Sequence, residues 1–522
     1  MLVLVAAACG GDDDDSSGAK APDQGDTSGK VNDDAGKPVT GGTLRFGQES
    51  DVATLDDAKA LAQPADKNIS LAVYDPLMTY NDEGKLEPFL AESMEAADDL
   101  KSYTMKLRSG VVFHDDTPLN ADAVIAHFKR LQDPAVNSTW KSDVAIIASM
   151  DKVDDLTVKF NLTGPSVGFP DTLAGTIGYV ESPTAVQKEG AGFDQKPVGT
   201  GPFKLTEFIP GDHVTVVKND KYWRKDKDGN ALPYLDSIIF KPIPDTKQRV
   251  NALQAGDVDM IQTADPSTIK QAESAGLKVQ KISGSSSTII MFNETKEPVN
   301  DARIRQALSY ATDKNAINQV AWAGTRQISK SAFPTNSAYY KNVGDPAFDM
   351  DKAKELIKAY GKPVNITAEC IPTPEANQIM AIVKQTWEEA GAKVTLKTTE
   401  QGQYVNKIFG TKDYQVACFR SNQMADPDQL YGSLHSGSAT NLLNYNNPKV
   451  DKALEDGRAS ADFATRKKAY DIVQDELAKD VPAISLAYDL FSNIYKPSVH
   501  GLPVPEAKSL GAIKPATLWI SK

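Results

Sequence analysis

Histidine and cysteine are scarce in this chain, with five and three copies in 522 residues. No CxxC or HExxH spacing occurs, which argues against the common zinc arrangements, and three cysteines are too few for a disulfide-built scaffold. No run approaches the roughly 18 apolar residues that a membrane span needs. Positive charge is also in deficit: 57 Lys and Arg stand against 70 Asp and Glu, a formal net charge of −13. That balance repels a phosphate backbone, so nucleic acid is not an expected partner. "GTGPF" has glycines but lacks the Lys-Ser/Thr pair that holds a phosphate. No cofactor and no metal are implied.

What is present is an ordinary globular composition, 40% hydrophobic and 24% charged, on a chain long enough for two or three folded lobes. The start is unusual. "MLVLVAAACGGDDDD" runs eight apolar residues into Cys9 and then turns to glycine and acid. Residues 1–9 resemble the end of a bacterial lipoprotein signal, which implies a lipid on the Cys9 sulfur; several acyl chains hold where a single one is marginal. Residues 10–40, rich in Gly, Asp, Ser, Lys and Pro, read as a solvated tether.

Along the body, "TLRFG" alternates like a strand, and "NISLAVYDPLMTY" reads as a helix stopped by Asp75-Pro76. Asn120 is placed to cap a helix over 121–131, and Gly256 to stop another. "DARIRQALSYATDKNAINQVAW" reads as one long amphipathic helix. From Lys362 to Asn493, strand patterns alternate with helical ones at 376–390 and 463–478, which suggests an α/β lobe.

Few segments offer chemistry. His114-Asp115-Asp116 reads as a polar hairpin turn. Asp226, Asp228 and Asn230 have calcium-loop spacing, but glycine falls at the fourth position and no acid at the twelfth. "SGSSST" lacks a nucleophile turn and a nearby histidine, which argues against a cell-surface hydrolase, the alternative of a different class. Cys370 and Cys418 lie in predicted strands; core thiols are the first expectation and an extracytoplasmic disulfide the second. Asp426 follows a strand end in the last α/β lobe, where ligands of open α/β sheets lie, although by local chemistry alone "ADPD" reads first as a solvent-facing turn.

Several segments together resemble the large extracytoplasmic solute-binding proteins of peptide and nickel ABC transporters, family 5. They are "YTMKLRSGVVFHDDTPLNADAV", "VGTGPFKL", "NALQAGDVDM", "VNDARIRQALSYATDKNAI" and "ATRKKAYDIVQDELAKDVPAISL", in order along residues 41–522. The resemblance implies an α/β, two-lobed periplasmic-binding-protein-like fold of type II (cluster C). Lobe one would comprise 41–75, 197–285 and 490–522, with an extra subdomain at 76–196, and lobe two 286–489. The chain would cross near Ser285 and Asp489, forming a hinge. It further implies a receptor, not an enzyme, that hands a solute to an ABC permease with its ATPase subunits. Short peptides are the first expectation; a nickel chelate, haem, an oligosaccharide or another solute is the alternative. In peptide-binding members an aspartate of a W-x-A-D type motif receives the α-ammonium, and this carries over to Asp426. Gln423 stands at the Trp position. Asn422, Gln423 and Met424 would pair the peptide as an added strand, with Ala62 and Gln63 opposite. Arg420 is placed either to meet an anionic group or to form a surface or inter-lobe salt bridge.

Overall fold

The computed structural model describes residues 36–60, 63–81, 84–335, 337–344, 347–422, 426–502 and 512–521. Cys9, the leader and tether to residue 35, Ala62, Gln423 and Met424 lie outside the described residues; Asn422 is described through its backbone alone.

Hydrophobic patterning resolves into one large mixed sheet, eleven-stranded among the described residues. Thr43–Gln48, buried from Phe46 to Gln48, is a central parallel strand between Ser237–Pro242 and Met260–Thr263. His213–Lys218 and Phe203–Ile209 extend this half by antiparallel pairing. In the other half, Asn365–Cys370 lies parallel to both Lys393–Thr398 and Val416–Asn422. Two long strands, Lys278–Phe292 and Ala483–Tyr495, run through both halves as an antiparallel pair. Their register is continuous from Lys278 to Ser283 and resumes at Ser287, with a shift between them. A bulge of this kind bends and twists a strand. Asp489 falls opposite the interruption.

Each half has its own core. Phe46, Phe240, Leu44 and Met260 fill the first, and Trp322, Trp387, Ile366 and Val383 the second. A separate four-stranded antiparallel sheet holds Ala91–Ala96, Ser102–Leu107, Thr157–Leu162 and Ile147–Asp154 in that order. The helix Ala121–Gln132 packs on it, and Phe128, Phe160, Phe169 and Tyr103 form an aromatic centre. Asn120 caps this helix by accepting from Ala123 N at 2.9 Å, and Gly256 ends the helix Thr246–Ala255 at φ +89°, the left-handed region that glycine favours.

The expected single helix after Val299 is instead two, Ala302–Tyr310 and Lys314–Trp322. The break has a local cause. Asp313 accepts from Ala316 N at 2.9 Å and starts the second helix as an N-cap, while Thr312 Oγ1 turns back onto Leu308 O. Asp226 accepts from Asp228 N, Asn230 N, Asn230 Nδ2 and Tyr234 Oη, an internally closed loop.

Candidate functional site

The candidate site lies where the long strands cross between the halves. Its centre is Asp489, fully buried on the strand Ala483–Tyr495. A carboxylate has about four lone-pair positions. Ser286 Oγ donates to Oδ2 at 2.5 Å, Thr288 Oγ1 to Oδ1 at 3.0 Å, and Arg326 Nη1 to Oδ1 at 2.7 Å. Arg420 Nε completes the set as an ion pair, 2.8 Å from Oδ2. A buried acid this well supplied anchors its partners, because removing one leaves charge uncompensated in low dielectric.

Those partners extend outward. Arg326, itself buried, also reaches Glu375 Oε1 at 2.9 Å and lies over the Trp322 ring. Trp322 Nε1 donates to the same Oε1 at 2.6 Å. Glu375 sits in the first turn of the helix Pro374–Glu389, where a carboxylate is favoured by the helix N-terminus. Glu375 Oε2 is 3.9 Å from Arg420 Nη2, beyond a hydrogen bond. Glu49, immediately after the first strand, faces this group from the other half. Burial raises its pKa, the Arg249 and Arg420 cations lower it, and Glu375 raises it again. For Arg420, burial acts to lower the pKa, but the Asp489, Glu375 and Glu49 carboxylates prevail and raise it.

Arg420 is therefore ion-paired with Asp489 on the crossing strand, with Glu49 of the other half acting on it only through its charge, and its side chain remains 43% exposed on a strand paired on both sides. Gln63 is exposed at the start of the helix Pro64–Val73, where its backbone N–H donates to Asp66 Oδ2 at 3.1 Å; Gln48 Nε2 holds the same helix end through Ala65 O.

Asp426 has a different environment. Arg466 holds both its oxygens, Nη1 at 2.9 Å from Oδ2 and Nη2 on Oδ1. Its Oδ1 also accepts from Asp428 N at 2.8 Å, which caps the short turn Pro427–Gln429. Burial lowers the Arg466 pKa, but Asp426 outweighs it and the net shift is upward. The sequence gives no local sign of Arg466, forty residues away on the helix Phe463–Asp480. It likewise gives no sign that Arg326, Glu375 and Glu49 converge on Arg420.

A second meeting of the halves occurs beside Asp426. Ser166 Oγ donates to Asp428 Oδ2 at 2.5 Å, and Val167 N to Arg458 O at 2.9 Å. Gly168, the next residue, lies so close that a Cβ would be 2.7 Å from Asp428 Cβ. Here the four-stranded subdomain touches the second half.

Cys370 and Cys418 are disulfide-bonded, with Cα atoms 5.1 Å apart, which corrects the expectation of core thiols. The parallel register that aligns Ala368 with Val416 and Glu369 with Ala417 brings the two sulfurs together. Among the described residues, no three His, Cys, Asp or Glu side chains form a metal cage, and no helix is long and apolar enough to cross a membrane. Ser286, within the serine-rich stretch, meets an aspartate and not a histidine.

Two halves joined by crossing strands, with charged groups from each facing one another at the junction, define a two-lobed solute-binding protein. Residues 85–441 match the family described as bacterial extracellular solute-binding proteins, family 5, and the chain belongs to that family. The glutathione-binding protein GsiB of Pectobacterium atrosepticum is 30% identical over 447 residues, 81% of this chain and 85% of that protein. Its counterpart in Escherichia coli K12 is 28% identical over 450 residues, 83% of this chain and 86% of that one. Among solved structures, the binding protein AgaA in complex with agropinic acid, from A. tumefaciens R10, has a TM-score of 0.82 and 27% identity, covering 92% of this chain and 99% of its own. The Bacillus subtilis oligopeptide-binding protein AppA shares the fold at a TM-score of 0.80 and 24% identity, covering 93% of this chain and 100% of its own. The fold is thus the mixed α/β, two-lobed periplasmic-binding type, its role in ABC import is that of a solute-binding protein, and its relatives are binding proteins.

Proposed function

We propose that this protein captures a short peptide, or a solute of similar size, between its lobes and delivers it to an ABC permease with its ATPase subunits. The observation that carries this reading is the charged junction around Arg420 and Asp489, which joins groups of both halves and leaves a cation open to solvent. The glutathione named for the relatives and the agropinic acid bound by AgaA are of the size proposed. The moving units are 41–75 with 197–285 and 490–522, carrying 76–196, against 286–489. They turn about Ser285 and Asp489, where the paired strands lose register. Binding without turnover is the activity; a nickel chelate, haem or an oligosaccharide is the alternative cargo.

The protein works outside the bacterial cell membrane, held there by lipid on Cys9. The Cys370–Cys418 bond supports an oxidising location. Native mass spectrometry of the full chain, purified without unfolding and followed by release of bound molecules, tests the cargo. Short peptide masses are expected; a single non-peptide mass replaces the cargo and keeps the receptor. Hydrolysis of added peptides would overturn the binding role. Cys9→Ser is expected to free the protein from membranes in a host that processes lipoproteins, and continued retention would refute the anchor.

A further inference from the structure

An arginine whose Nε edge is committed and whose outer edge is open presents a fork of two parallel N–H groups, the shape that accepts a carboxylate bidentately. Arg420 is in that state. Asp489 takes its Nε edge and, with Ser286, Thr288 and Arg326 also on it, has no lone pair left to draw the outer nitrogens in. Glu375 is drawn off through Oε1 by Trp322 and Arg326, leaving Oε2 3.9 Å from Arg420 Nη2. Among the described residues, neither Nη atom of Arg420 has a hydrogen-bond partner. The side chain is held in place and is still 43% exposed.

The acid expected to choose the ligand is in the opposite condition. Asp426 already faces a buried guanidinium across both oxygens, so a ligand ammonium there would sit beside Arg466. Placing like charges together in a desolvated cleft is costly. Glu49, an acid of the other half that acts on Arg420, is offset by Arg249, and burial favours its neutral form.

We propose that Arg420 receives a carboxylate of the bound solute on its open Nη1–Nη2 edge, so that the protein selects its ligand by an acid group and not by an α-ammonium at Asp426. This rests on the solute-binding reading and names the ligand class it selects. Amine-blocked acids then keep their affinity, and carboxylate-blocked amines bind more weakly.

The test uses the full chain and two matched probe sets. One is trialanine, its C-terminal amide and its N-acetyl form; the other is glutathione, its dimethyl ester and its N-acetyl form. Binding is read by calorimetry. Blocking the carboxylate is expected to weaken binding by about 10- to 100-fold, the range for a charged contact that is half exposed. Blocking the amine is expected to change it far less. Arg420→Gln is expected to bring the acid down to the affinity of its amide and to leave the amide unchanged, with Arg420→Lys intermediate. Circular dichroism establishes that each variant is folded, and Arg420→Lys, which keeps a cation beside Asp489, supplies the comparison if Arg420→Gln does not fold. Equal affinity for acid and amide, or loss on N-acetylation alone, overturns the assignment while the receptor stands. No binding of any probe by the wild-type chain counts against the peptide-sized cargo itself, and the assignment falls with it.

Discussion

Gly168→Ala should hold the two halves apart without disturbing either. Gly168 has φ −82° and ψ −1°, a conformation that any L-residue adopts, so the substitution carries no backbone strain of its own. The added Cβ would lie 2.7 Å from Asp428 Cβ and 3.1 Å from Asp426 Oδ1. Ordinary carbon contacts are about 3.5–4.0 Å, so the surfaces must part by roughly 1 Å. Neither side yields easily. The Ser166–Gly168 loop is held by Ser166 N on Leu100 O and by Tyr103 Oη on Ser166 O at 2.7 Å, and Asp428 is pinned by Arg458 at 3.1 Å. Parting breaks the Ser166–Asp428 and Val167–Arg458 hydrogen bonds. A hydrogen bond to a charged group contributes about 1.5–3 kcal/mol and a neutral one about 0.5–1.5 kcal/mol. Closure should therefore lose about 2–4.5 kcal/mol, roughly 30- to 2,000-fold in the closed-to-open ratio. In stopped-flow measurements the solute's dissociation rate should rise steeply while association, set by the open form, changes little. Small-angle scattering should show a larger radius of gyration with solute present. Ser166→Ala, which removes one bond and adds no bulk, should produce the smaller effect of the two. An unchanged dissociation rate and an unchanged radius for Gly168→Ala would refute the reasoning. A fall in melting temperature without solute would place the damage inside one lobe.

Two further predictions concern stability. Asp75 is buried, and burial pushes its pKa up to about 6 although Trp223, Tyr222 and Thr200 all donate to it. An acid with a raised folded pKa gives stability that is full below its unfolded pKa of about 3.8 and lost as pH rises through about 6. Asp75→Asn should therefore gain on wild type by about 3 kcal/mol between pH 4 and pH 6.5 and stay level above; a difference in urea stability that does not vary with pH would contradict it. The Cys370–Cys418 bond closes a separation of 48 residues. Chain-entropy arguments give such a loop about 4 kcal/mol, so reduction should lower the denaturation midpoint of the wild type and leave a Cys370→Ala, Cys418→Ala variant unmoved. Equal response of both would show that the bond does not stabilise the lobe.

Local structure was legible where the cause is local. The first strand, the Asn120 cap, the Gly256 stop and the closed loop at Asp226 each depend on neighbours within a few residues, and composition and spacing report those directly. The two-lobed class was legible for another reason: several separated motifs had to fall in one order. The single helix expected after Val299 failed on a point the periodicity hides, because an apolar face continues across a break that Asp313 imposes by capping. The disulfide stood only second to core thiols because strand adjacency is decided by register between distant segments, here Asn365–Cys370 beside Val416–Asn422.

The site shows the same division more sharply. Asp426 and Arg420 were both visible in one short stretch, six residues apart, with nothing local to distinguish their roles. What separates them is how each charge is neutralised, and that comes from residues far along the chain. Asp426 meets Arg466 and is closed on both oxygens. Arg420 meets Asp489, which Ser286, Thr288 and Arg326 already fill, so only one edge of the guanidinium is held. A charge in a cleft is available to a ligand in proportion to what the fold leaves unpaired, and a buried pair is retained only when its partners match in number and geometry. By that measure the strand Val416–Asn422 leaves a cation unpaired on its outer edge, as the proposed acid selection requires, while the turn after it commits Asp426 to Arg466 within its own half and Asp428 to Ser166 across the halves.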